Sequence, residues 1–286
     1  MNRLNKNSFP FLILFVFHSV LMVYSFYKSK NKKKLFILLM SNIGLAYVFE
    51  YVILNVLHAY KYKPKVFRVK ELDNVFGGIL SQAIFVPFTA IFLTSNQYGW
   101  KAKTLFTAYF ALIENLFIKL DVYRHQWWLT IYSFLLFPFY FQLSDFWYNQ
   151  LQKGKPLIRF LSLFFMTFVS GINLLFALSV NRKFKFGRGR YYSWSEHFVI
   201  APIYTFLLSF LSTFLFSRKN NCASWLLMLA ISTSIEKIMI KLKILKSKLQ
   251  RRFISQILHV LMIVLIAIFR KWIYAQEEKS YYNGKE

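Results

Sequence analysis

Nine apolar runs punctuate the chain, at about 9–27, 35–57, 76–95, 104–120, 129–148, 157–180, 198–217, 225–243 and 253–274. Each is close to the roughly 20 residues that a helix needs to cross a hydrocarbon core about 30 Å thick. With 57% hydrophobic and 21% aromatic residues in 286, the chain is too apolar for an ordinary soluble domain. The pattern predicts an all-α fold, a polytopic transmembrane bundle of eight or nine helices. The fourth and eighth runs are short or end in lysines, whose stems can snorkel to the headgroups. Residues 1–274 then form a single transmembrane domain and 275–286 a polar C-terminal tail. Arg3 and Lys6 precede the first run as in a signal peptide, but the run continues to Tyr27 without a small-residue cleavage pattern. It reads as a retained helix.

The formal charge of +26 would point to nucleic acid if the basic residues clustered on one soluble face. Here they sit between apolar runs. Lys28, Lys30, Lys32, Lys33 and Lys34 follow the first, and Lys241, Lys243, Lys246, Lys248, Arg251 and Arg252 precede the last. Such juxtamembrane cations attract anionic lipid headgroups at about 1 kcal/mol each, so the expected partners are the bilayer and its anionic headgroups, not nucleic acid. AT-rich codons also favour Lys, Phe, Ile, Asn and Tyr, so part of the charge needs no function. Trp100, Trp127, Trp128, Trp147, Trp194, Trp225 and Trp272 fall near the ends of runs, as in an aromatic belt.

Devices for known chemistry are few. The single cysteine, Cys222, excludes an internal disulfide and a Cys-based zinc site. His18, His58, His125, His197 and His259 show no i, i+4 pairing; no metal site is expected, and His18 and His259 should hydrogen-bond neighbouring helices. Neither Gly77-Gly78 nor the pair Gly187 and Gly189 belongs to a phosphate-cradling fingerprint. No cofactor and no catalytic residue is assigned.

A repeat is more informative. Glu50, Glu114, Asn173 and Glu236 occupy comparable places about two-thirds along their runs, at intervals of 64, 59 and 63 residues, the length of two helices and two loops. Pro10, Pro87, Pro138 and Pro202 fall in the preceding runs. Four repeated helical hairpins plus a final helix would produce this, with chance alignment among Phe-, Ile- and Leu-rich helices as the competing explanation. If the hairpins are real, the four polar residues share one depth. A carboxylate is costly in hydrocarbon and must face the bundle, be protonated or be paired. Lys119 and Lys241 lie at i+5 from their glutamates, a poor pairing position, so partners must come from other helices. The four form a candidate intramembrane polar site, either for a proton, ion or substrate or as interhelical hydrogen bonds worth about 0.6 kcal/mol each. Asp145, beside Trp147 near a run's end, should simply reach water.

The stretch Ile113-Glu114, Phe117-Ile118-Lys119-Leu120, Val122-Tyr123 and Trp127-Trp128, with Ala59-Tyr60-Lys61-Tyr62 and Ser81-Gln82 upstream, resembles a family of uncharacterised multi-pass membrane proteins from spore-forming Gram-positive bacteria. The resemblance implies a bacterial plasma membrane and supplies no activity. The charge distribution between loops is nearly balanced and slightly favours a cytoplasmic N-terminus. Three functions stay open, all with unknown substrate. One is a proton- or ion-coupled transporter using the glutamate layer. Another is a membrane-anchored interaction or sensor protein without transport. An intramembrane lipid-modifying enzyme ranks lower, since no nucleophile motif is present.

Overall fold

The computed structural model describes residues 6–188, 192–218, 220–247 and 254–283, with side chains described to 246 in the third segment and over 255–274 in the last. Arg3, Gly189, Lys248, Arg251 and Arg252, singled out above, lie outside the described residues. Among the described residues, nine helices account for the nine apolar runs: α1 (Ser8–Lys28), α2 (Lys32–Val56), α3 (Lys70–Ser95), α4 (Trp100–Lys119), α5 (Thr130–Gln152), α6 (Pro156–Val180), α7 (Trp194–Arg218), α8 (Cys222–Lys241) and α9 (Ile254–Asn283). Seven are long and apolar enough to cross a membrane; α4 and α5 are as long but more polar. The chain is thus an all-α, multi-pass integral membrane protein.

Four short strands lie between the helices among the described residues: β1 (Tyr60–Tyr62), β2 (Tyr123–His125), β3 (Phe184–Phe186) and β4 (Leu245–Ser247). Their first residues are 63, 61 and 61 positions apart, so the hairpin repeat takes a definite form. Each copy is a helix, a tight turn, a three-residue strand and a second helix, and the phase differs from the one expected: the unpaired helix is α1 at the start, not a final one, because each strand-bearing turn joins an even-numbered helix to the next. The turn recurs in detail. His58, Asp121, Arg182 and Lys243 have positive φ, between 50° and 56°, and each lies two residues before its strand. In the last three copies the helix closes as a Schellman motif. Val122 N bonds Phe117 O and Asp121 N bonds Ile118 O, and the same pairs recur as Lys183–Leu178 with Arg182–Ser179 and Ile244–Met239 with Lys243–Ile240. The first copy is one residue wider, Ala59 N reaching Ile53 O, because α2 ends in a π-helical turn, Tyr51–Val56.

Consecutive copies pair through their strands. β1 and β2 run antiparallel with Tyr60 opposite His125 and Tyr62 opposite Tyr123. β3 and β4 do the same with Phe184 opposite Ser247 and Phe186 opposite Leu245. The copies thereby form two compact units, Met1–Gly154 and Lys155–Glu286. The correspondence is close in sequence number: 124 residues separate Lys32 from Pro156, Tyr60 from Phe184 and Lys70 from Trp194.

Strand amides left over are taken up by the following helix. Asn74 Oδ1 of α3 accepts from Tyr62 N at 2.7 Å, and His197 Nδ1 of α7 accepts from Phe186 N at 3.0 Å. That contact fixes the proton of His197 on Nε2, which donates to Ser179 Oγ 2.7 Å away. Buried Asp73 holds the loop before α3, accepting from the amides of Lys65, Val66 and Phe67. In the first unit, Phe11 and Leu14 of α1 pack with Tyr60, Phe85, Phe110, Phe117, Tyr123 and Phe141 in one core. A second π turn, Leu80–Phe85, lies in α3 just before Pro87, where it relieves the clash of a proline ring with the preceding turn. Trp147 departs from the belt expectation, since it is buried inside α5.

Candidate functional site

Both π turns border the candidate site in the first unit. Glu50 closes the α-helical part of α2, immediately before the first, and Gln82 lies within the second. A π turn rotates the residues beyond it around the helix axis, and such turns concentrate at functional positions. Here they bring Gln82 Nε2 to 3.1 Å from Glu50 Oε2, the atom that also accepts from the Tyr60 hydroxyl at 2.6 Å. Burial first, and the Glu50 carboxylate second, push the Tyr60 hydroxyl well above its ordinary range, so it remains the donor. Glu50 Oε1 is buried and has no hydrogen-bond partner among the described residues. It packs toward Gly78, where an added Cβ would meet it at 2.9 Å.

Glu114 comes from α4 and pairs with His125 of β2, Oε1 to Nε2 at 2.6 Å. Since His125 is the register partner of Tyr60, the two glutamates hold opposite members of one rung. The sequence placed both carboxylates among the candidates and expected their partners on other helices; of the three partners only Gln82 meets that, from the π turn of α3, whereas Tyr60 and His125 come from the strands.

Beside the rung lies a cavity of about 330 Å³ bordered by Tyr60, Tyr62, Gln82, Glu114, Tyr123 and Trp128. That is within the size range of small-molecule sites. Its lining is mostly aromatic and aliphatic, and it extends to Phe49, Leu136, Phe139 and Leu143, whose side chains are exposed on the outer surface.

The other two candidates belong to the second unit. Glu236 of α8 is buried, and its Oε2 accepts from Ser255 Oγ and lies 2.8 Å from His259 Nε2, both on α9. Its Oε1 has no hydrogen-bond partner among the described residues. Glu236 and Glu114 are 122 residues apart, as are Leu245 and Tyr123, so they hold the same place in their units. Glu236 lines a smaller cavity of about 90 Å³ with Tyr204, Thr205 and Met262. Asn173 is half-buried, and its neighbour Leu174 lines that cavity instead. His259 reaches an adjacent helix as expected. His18 does not: Nδ1 donates to Leu14 O of its own helix at 2.7 Å, and the ring packs against Phe85 and Phe110.

Asp145 also departs from expectation. It forms an ion pair with Lys103 of α4, a lysine whose side chain is 4% exposed, against 26% for Asp145. Lys103 Nζ donates to Gln142 Oε1 at 2.8 Å, Thr94 donates to Asp145 at 2.6 Å, and Thr94 and Asn42 both bond Ser144. Lys103 sits near the start of α4, and the sequence did not single it out.

Among the described residues, no three His, Cys, Asp or Glu side chains are grouped to hold a metal ion. No family model, no curated protein and no solved structure matches the chain.

Proposed function

We propose that the protein is a proton-coupled transporter of a small, largely apolar molecule, with Glu50 and Glu114 as its proton-exchanging groups. The observation that carries this reading is the shared rung: two membrane-embedded carboxyl groups bond opposite residues of one strand pair, at the polar end of a cavity large enough for a ligand. A carboxylate that takes a proton from an imidazolium 2.6 Å away turns two opposite charges into two neutral groups, which lowers the cost of keeping them in a low-dielectric interior. The lateral reach of the cavity to exposed apolar side chains suits a substrate that enters from the lipid. That same lateral opening favours a second reading, an enzyme that modifies a lipid with Glu114 and His125 as acid and base.

Vesicles reconstituted with the purified protein, carrying a trapped pH indicator and an imposed pH gradient, separate the two. A panel of small aromatic solutes, neutral, cationic and anionic, should include at least one that dissipates the gradient through the protein. Glu114→Gln and Glu50→Gln should abolish that movement at unchanged folded yield. A panel in which no solute moves protons, or unchanged movement in both variants, sinks the transport reading.

The same proposal places the protein in a bacterial plasma membrane, as the family resemblance implies, with its loop cations against anionic headgroups and its N-terminus in the cytoplasm. Cys222, exposed at the start of α8, then faces outward and reports the orientation to an impermeant maleimide.

A further inference from the structure

The unit-1 cavity has a chemistry at odds with the rest of the chain. The protein carries 37 Lys and Arg against 11 Asp and Glu, yet among the described residues none bordering the cavity is Lys or Arg, and the one carboxylate there is Glu114. Three tyrosines form a continuous aromatic wall beside that carboxylate: the ring centroids of Tyr60 and Tyr123 are 5.3 Å apart, those of Tyr62 and Tyr123 5.0 Å and those of Tyr60 and Tyr62 5.6 Å. Trp128 extends the wall, its ring 5.5 Å from Tyr60.

An aromatic face attracts a cation through its quadrupole, most strongly where water is excluded. An ammonium group also offers a carboxylate the charge-assisted contact that a neutral solute cannot. A bare metal ion gains little from such a wall, because it needs several oxygen ligands, and the described residues group no such set. A purely apolar ligand would leave Glu114 with nothing but His125. The lining suits a molecule with an apolar body and one organic cationic centre.

We propose that the unit-1 cavity selects lipophilic organic ammonium cations, with Tyr60, Tyr62, Tyr123 and Trp128 as the cation-binding wall and Glu114 as the counter-charge. The proposal rests on reading this cavity as the substrate site, but binding can be measured without any flux.

The full-length protein in detergent is titrated calorimetrically with three soluble aromatic probes that differ in charge: benzyltrimethylammonium, benzyl alcohol and phenylacetate. Saturable binding of the ammonium, at least about tenfold tighter than either other probe, is expected. Glu114→Gln should weaken it about tenfold. Tyr123→Leu should weaken it comparably, while Tyr123→Phe, which keeps the ring face, should retain it; this pair decides the matter even if the Glu114 variant fails to fold. Equal or tighter binding of the alcohol or of phenylacetate, no binding of the ammonium, or loss in Tyr123→Phe equal to that in Tyr123→Leu would overturn the inference. Ammonium binding without proton movement in vesicles would keep this inference and remove the transport reading, and solute-driven proton movement without ammonium selectivity would do the reverse.

Discussion

Tyr60 and His125 face one another across a single rung of the β1–β2 pair, and each is bonded to a different glutamate. Strand register therefore sets where the two carboxyl groups stand. A slip of one residue would turn every side chain of a strand to its other face, moving Tyr60 away from Glu50 and leaving a buried carboxyl group with Gln82 alone. The Asn74 side chain, which accepts from Tyr62 N, and Lys63 N, which bonds Val122 O, pin that register from both sides.

Close packing behind β1 leaves no room for a methyl group. A Cβ on Gly77 would come within 2.3 Å of Tyr62 Cβ, whereas one on Gly99 would meet nothing within 4 Å. Gly77→Ala should lower stability by about 1–3 kcal/mol, as overpacking does. Gly99→Ala should stay within about 0.5 kcal/mol. Thermal unfolding in detergent measures both, and equal midpoints would contradict the contact.

The ion pair between Lys103 and Asp145 should show an asymmetry. Removing one partner of a buried pair strands the other and costs about 3–5 kcal/mol. Lys103 is the more enclosed partner, so Asp145→Asn should destabilise more than Lys103→Met. The double variant should lose less than the two single losses added together. Additive losses in a double-mutant cycle would mean that the two residues do not act on each other.

Left-handed backbone at non-glycine residues is costly, by roughly 1–2 kcal/mol before the flexibility of glycine in the unfolded chain is set against it. Arg182 has φ of 53°. Arg182→Gly should therefore hold or raise the thermal midpoint, and Arg182→Val, β-branched in the same conformation, should lower it. The opposite order would show that the side chain of Arg182 outweighs its backbone.

Asp121 gives a pH dependence. The hydrogen bond from Lys63 first, and the charge of Lys63 second, hold its carboxyl below the ordinary value of 3.8. A carboxyl depressed in the folded state stabilises fully above its unfolded pKa and loses that contribution as pH falls through the folded one. The midpoint difference between the native chain and Asp121→Asn should be constant near neutrality and shrink below about pH 4. With Asp121 largely exposed, the difference should be small and salt-sensitive. A gap that widens in acid would refute the pairing.

How much of this was legible in the sequence depended on length. Apolar runs of about 20 residues are strong signals, and each of the nine became a helix. The hairpin repeat, read from Glu50, Glu114, Asn173 and Glu236, was legible in its period but not in its phase: the unpaired helix is the first rather than the last, and Asn173 lies eleven residues before its strand where Glu114 and Glu236 lie nine. The strands went unread because three residues cannot display a period of two. Their trace is nonetheless present: Tyr60-Lys61-Tyr62, Tyr123-Arg124-His125 and Phe184-Lys185-Phe186 each set a cation between two inward residues, and Lys246 takes the same middle place in the fourth strand. The partners of Glu50 and Glu114 were missed for the same reason, since Tyr60 and His125 lie on those strands. The pairing of Asp145 with Lys103 was invisible because it joins different helices 42 positions apart.

The division at Gly154 also orders events at the ribosome. The rung, both of its glutamates and every residue bordering the larger cavity precede Lys155. Translation proceeds at roughly 5–20 residues per second, and domains fold as units with the N-terminal one first. A nascent chain therefore contains every residue of the aromatic wall and both carboxyl groups several seconds or more before the last helix of the second half is made.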